Sequence, residues 1–108
     1  MYNRAILVGR FVADPELRTT LNGKSVCRFR LAVNRPFKDE NGESKADFIT
    51  CVCWGKSGES ISTYFAKGKM IGIEGALQSG EFTDKEGIKR YTVEVNVERW
   101  FFTESKGD

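Results

Sequence analysis

The residues of this chain best suited to chemistry crowd into one stretch, Phe48-Ile49-Thr50-Cys51-Val52-Cys53-Trp54-Gly55. Two thiols two residues apart suggest a metal or redox site, whereas two rings six residues apart suggest a surface on which flat molecules stack. Zinc takes about four ligands from thiolate, imidazole or carboxylate, and the chain has three cysteines and no histidine. The lack of histidine also removes the commonest general base and the usual partner of a nucleophilic serine or cysteine. An enzyme is therefore not expected, nor is a metal or cofactor. The triplet Gly55-Lys56-Ser57 matches the end of a phosphate-binding loop, but that loop needs glycine where Thr50 stands and a βαβ setting that the sequence lacks. It is better read as the end of a strand and the start of a helix.

Alternation separates the two readings of the stretch. Successive side chains on a strand point to opposite faces, so Ile49, Cys51 and Cys53 share one face and Phe48, Thr50, Val52 and Trp54 the other. The first set is compact and apolar, a role that reduced cysteine fills readily in a core. Two cysteines this close on a strand lie side by side rather than bridged.

The elements that must hold these residues are mostly strands. Period-2 patterns rich in Val, Ile, Phe and Thr recur between turn signals. A first strand is expected over residues 3–12, and Asp14-Pro15 and Asn22-Gly23 then bracket a longer connection. The second strand covers 25–34, with Cys27, Phe29, Leu31 and Val33 on one face and Arg28, Arg30 and Asn34 on the other. An Asn41-Gly42 hairpin leads to the third strand, 47–54. Ile61, Tyr64 and Phe65 are spaced as on a helix and Gly68 offers a stop, which predicts one short helix over 57–67. The fourth strand is expected over 70–78. A polar turn at 83–87 opens the fifth, with Tyr91, Val93, Val95 and Val97 on one face and Glu94, Asn96 and Glu98 opposite. Trp100, Phe101 and Phe102 at its end are read as core or interface. Five strands with one helix between the third and fourth predict an all-β OB-fold, a small Greek-key barrel.

A chain of 108 residues, 40% hydrophobic and 30% charged, can bury one modest core, so a single domain over 1–108 is expected, ending in a short polar, disordered segment at 103–108. No signal or membrane segment is evident in the opening residues, and a soluble, cytoplasmic protein is expected. The net charge of +2 hides an uneven distribution: residues 1–38 carry eight lysines and arginines against two acids.

On an OB-fold, strands 2 and 3 form the ligand face, which sets Phe48 and Trp54 beside Arg28, Arg30 and Asn34. Phe37 in the hairpin between those strands and Phe82 beside the last turn are further rings in polar surroundings, interleaved with Arg35, Lys38 and Lys56. Rings stack unpaired bases while cations track phosphates, a combination suited to single-stranded nucleic acid with little preference for sequence. Two other classes compete: an adaptor whose aromatic face holds protein, and a redox protein using Cys51 and Cys53.

The segments NRAILVGRFVADPELR, FRLAVNRPF, ADFITCVCWGKSGE, YFAKGK, IEGAL and RYTVEV together resemble the bacterial single-stranded DNA-binding proteins of the replicative type, particularly those of Gram-positive bacteria. The resemblance covers nearly the whole chain. It implies an OB-fold, a homotetramer, and coating of single-stranded DNA in replication, recombination and repair. It places stacking roles on Phe37, Phe48, Trp54 and Phe82, and phosphate contacts on Arg4, Arg10, Arg28, Arg30, Arg35, Lys56 and Arg90. The family also has a flexible linker and an acidic tip that recruits other replication proteins. The sequence stops at Thr103-Glu104-Ser105-Lys106-Gly107-Asp108, so recruitment through such a tip is not part of the expectation.

Overall fold

The computed structural model describes residues 1–104; residues 105–108 of the polar end expected to be disordered lie outside the described residues. In chain order the elements are β1 (Ala5–Phe11), β2 (Glu16–Thr19), β3 (Ser25–Lys38), β4 (Ser44–Trp54), α1 (Gly55–Tyr64), β5 (Met70–Thr83) and β6 (Lys89–Phe102). The strands are ordered β1-β5-β6-β4-β3-β2, and an extra pairing of β1 with β3 closes the barrel. All neighbours are antiparallel except β4 and β6, which meet in parallel at Cys51 beside Val95 and Val52 beside Asn96. This is the OB-fold.

Alternation builds the interior. Phe11, Cys27, Phe29, Leu31, Cys51 and Cys53 from one side of the barrel meet Ile71, Ile73, Val95 and Val97 from the other. Helix α1 plugs the barrel with Ile61. Its Gly58 lies so close to the end of β4 that a Cβ there would come within 2.3 Å of the Cys53 carbonyl oxygen.

Four local differences from the sequence expectation have physical causes. The connection after β1 contains a strand, β2, all four of whose residues are exposed, so it leaves no alternation of burial to detect. With β2 counted, the helix falls between the fourth and fifth strands. The helix also ends at Tyr64, because Phe65 turns extended to bury its ring against Phe11, at 5.3 Å. In β6 the pairing steps from Arg99 opposite Glu74 to Val97 opposite Gly75. The extra residue reverses the alternation, so that Trp100 packs against the same core as Val95 and Val97.

The last difference concerns length. β3 runs on to Lys38 and β4 starts at Ser44, while β5 runs to Thr83 and β6 starts at Lys89. Two hairpin arms therefore project beyond the barrel, and Tyr91 and Val93, which alternation sets on the same face as the buried Val95, are exposed on one of them. Both arms end in the same turn. Asp39 and Asp84 accept backbone hydrogen bonds from residues two and four further on, each at 2.9 Å. Gly42 and Gly87 take the left-handed conformation the turn requires, with φ of 76° and 81°.

Candidate nucleic-acid interface

Strands β3 and β4 are paired along most of their length, with Val26 opposite Trp54, Arg28 opposite Val52, Arg30 opposite Thr50 and Ala32 opposite Phe48. These residues share the outer face of the barrel wall. Phe48 is 56% exposed and Trp54 48%, while the three thiols on the inner face are buried and free. Burial pushes the Cys27 thiol up to about 11 and the Cys51 thiol up to about 12, where the negative charge of Glu94 adds to the effect. Neither is an effective nucleophile or metal ligand at neutral pH, because thiolate is the reactive form.

The arms continue the outer surface. Phe37 stands near the end of the β3–β4 arm and Phe82, opposite Arg90, near the end of the β5–β6 arm, both exposed. Each ring proposed for stacking from sequence is thus open to solvent, two on the barrel wall and one on each arm.

The expected cations divide into groups. Arg30 sits over the Phe48 ring at 5.4 Å from its centre, a cation–π arrangement that holds the guanidinium beside the ring. Arg28 donates from Nη1 to Glu94 Oε2 at 2.7 Å. Arg35 forks onto Asp47, with its closest contact at 2.8 Å; these hydrogen bonds hold the Asp47 carboxyl below its ordinary range. Lys56, the second residue of α1, is exposed two residues after Trp54 in the chain. On the other arm, Arg90 pairs with Asp84 at 3.0 Å. The remaining two are drawn elsewhere. Arg4 is held by Glu74 and Glu98 of β5 and β6, and Arg10 donates to the Gly68 carbonyl and to Glu104. Glu104 also accepts from the Met70 amide at 2.8 Å.

Two features of this face escaped the sequence reading. The segment 12–16 overhangs Arg28, Arg30 and Thr50 and leaves an open groove of about 470 Å³. It follows from the unanticipated pairing of β2 with β3, which brings Glu16 opposite Arg28. The second feature is the partner of Glu94: alternation already sets this residue opposite Val95 and Val97, but it meets Arg28 only because β6 runs beside β4.

Barrel, arms and ring-and-cation wall define the class: a small OB barrel with one built outer face. Comparison with known proteins narrows this. Residues 2–103 match the model of the "Single-strand binding protein family", and the chain belongs to that family. It is 46% identical over 107 residues to the single-stranded DNA-binding protein of Halalkalibacterium halodurans, covering 99% of this chain and 64% of that one. The single-stranded DNA-binding protein of Lactiplantibacillus plantarum is 44% identical over 108 residues, all of this chain and 54% of its own length. Single-stranded DNA-binding protein A of Bacillus subtilis is 43% identical over 106 residues, 98% of this chain and 62% of that one. The chain therefore spans between about half and two thirds of the length of these relatives.

Proposed function

We propose that this chain binds and coats single-stranded DNA with little sequence preference, as a non-enzymatic single domain serving DNA replication, recombination and repair. The observation that carries the reading is the β3–β4 face, where two outward rings stand among guanidinium groups while every thiol faces inward. Phe48, Trp54, Phe37 and Phe82 stack bases. Arg28, Arg30, Arg35, Lys56 and Arg90 line the path between them, with Arg4 and Arg10 as outlying cations. The names of the relatives, all single-stranded DNA-binding proteins, support the same ligand.

The working unit in this proposal is a homotetramer. Ile6 and Val8 of β1 and Phe101 of β6 are large apolar side chains left exposed on one face of the single chain, a surface that self-association would cover. Among the described residues no helix is long and apolar enough to cross a membrane, which accords with a proposed place in the cytoplasm.

Titrating a thymidine oligomer against the protein, while following tryptophan fluorescence and mass, tests the reading. Stacking on Trp54 quenches the signal, and neutralising about six phosphates per subunit gives a slope of log affinity against log salt near −4. A flat salt dependence, or saturation without quenching, would count against it.

A further inference from the structure

Six residues of extended strand separate Phe48 from Trp54, about 20 Å at roughly 3.3 Å per residue. A nucleic-acid strand running from one ring to the other must lay bases over Thr50 and Val52, where no ring stands. Another flat group occupies that place. Strand β4 lies between β3 and β6, and the Arg28–Glu94 bridge joins its two neighbours across it at 2.7 Å. Arg28 is opposite Val52, while Val95 is beside Cys51, which sets Glu94 at the level of Thr50. The bridge therefore crosses β4 diagonally, with the Arg28 stem over Val52 and the carboxylate toward Thr50. This accounts for an oddity of the face: Val52 lies on its outer side, apart from the interior cluster, and yet is only 3% exposed. The Arg28 side chain remains 55% exposed while that of Glu94 is 24% exposed. The carboxylate is the anchor and the guanidinium is the part offered to solvent.

Resting on the single-strand reading above, we propose that Arg28 is a stacking surface for the bases between Phe48 and Trp54, and that Glu94 is the positioning residue that lays its guanidinium across β4. A guanidinium is planar, delocalised and weakly hydrated, so it stacks on π systems as an ammonium does not. Unpaired bases stack on arginine planes as they do on rings. Arg30, its guanidinium carbon 5.4 Å from the centre of the Phe48 ring, already sets one guanidinium against a π system on this face. The alternative role for Arg28 is a phosphate clamp, in which case Glu94 competes with the ligand. The two roles make opposite predictions for Glu94.

The test is binding of the 108-residue chain to a fluorescently labelled thymidine oligomer across a salt series, with Arg28→Lys and Glu94→Gln beside the wild type. Lysine keeps the charge and the aliphatic cover of Val52 but loses the plane. Affinity of Arg28→Lys is expected to fall about fivefold to tenfold, the low end for loss of one stacking contact, with the salt slope unchanged. Glu94→Gln is expected to weaken binding about threefold, although it removes a negative charge from the face. On an abasic oligomer of equal length the three proteins are expected to bind alike. Wild-type affinity in Arg28→Lys, tighter binding by Glu94→Gln, or a loss that persists on the abasic oligomer would each overturn the proposal. Thermal melting verifies that the variants fold; if Arg28→Lys does not, the sign of the Glu94→Gln effect decides. A wild-type chain that ignores thymidine oligomers sinks the single-strand reading and this proposal with it, whereas unchanged variants of a binding wild type sink this proposal alone.

Discussion

Strand β6 passes through two regions in which the same sequence pattern has two different physical meanings. Val95 is fully buried, and Val93, two residues earlier on the same side of the strand, is 64% exposed. The difference is what lies across from them. At Val95 the barrel closes, with Ile71, Ile73 and Leu31 in the same interior cluster. At Val93 the strand has left the barrel and runs in a two-stranded arm with only β5 for a partner. Alternation specifies which residues share a face, but only a second layer of structure makes a face into a core.

The largest expected effect tests this contrast directly. Val95→Asp buries a charge with no partner and should abolish the cooperative melting transition, a cost of at least about 4 kcal/mol. Val93→Asp should leave the melting free energy within about 0.5 kcal/mol of wild type, as surface changes do. Equal destabilisation by the two would show that the arm is packed against something.

On the barrel wall, Trp54→Ala should weaken binding of a thymidine oligomer by about 1–3 kcal/mol while moving the melting temperature little. A large loss of stability instead would mean that its ring is structural. Phe82→Ala on the arm should cost about 1 kcal/mol in binding, with no change in melting, since the ring has solvent around it. If the arm were a passive extension, this variant would bind as wild type.

The smallest effect concerns the tip of the β5–β6 arm. The Ile88 amide, together with Arg90 and the Glu86 amide, holds the Asp84 carboxyl below its ordinary value of 3.8. A group whose folded value is depressed adds stability above its unfolded value, and that contribution is lost as pH falls through the folded value. Between neutral pH and about pH 5 the Glu86 and Ile88 amides should therefore stay protected from exchange. Acidification below the ordinary aspartate range should release them, and Asp84→Asn should release them partly at all pH values. Protection independent of both would remove the role given to this carboxylate.

Much of the wall and the barrel was legible from local pattern. The outward setting of Phe48 and Trp54 and the inward setting of Cys27, Cys51 and Cys53 follow from alternation in strands β3 and β4, and the structure has them so. The position of the helix after Trp54 was legible too, but its end was not, because Phe65 leaves the helix for a ring cluster with Phe11, Trp100 and Phe102. Strand β2 was hidden because an exposed edge strand carries no burial pattern. The Arg28–Glu94 bridge was hidden for a different reason. Its members are 66 residues apart and meet only through the parallel neighbours β4 and β6.

The sequence by itself determined the faces: period-2 alternation is a property of a few consecutive residues, and a strand has no way to turn one side chain without turning the next. Only the tertiary structure decided which faces are covered, where β6 shifts its register at Glu98, and which carboxylate each arginine meets. Those outcomes depend on strands far apart in the chain closing on one another, and burial and ion pairing are set by the neighbours that closure brings.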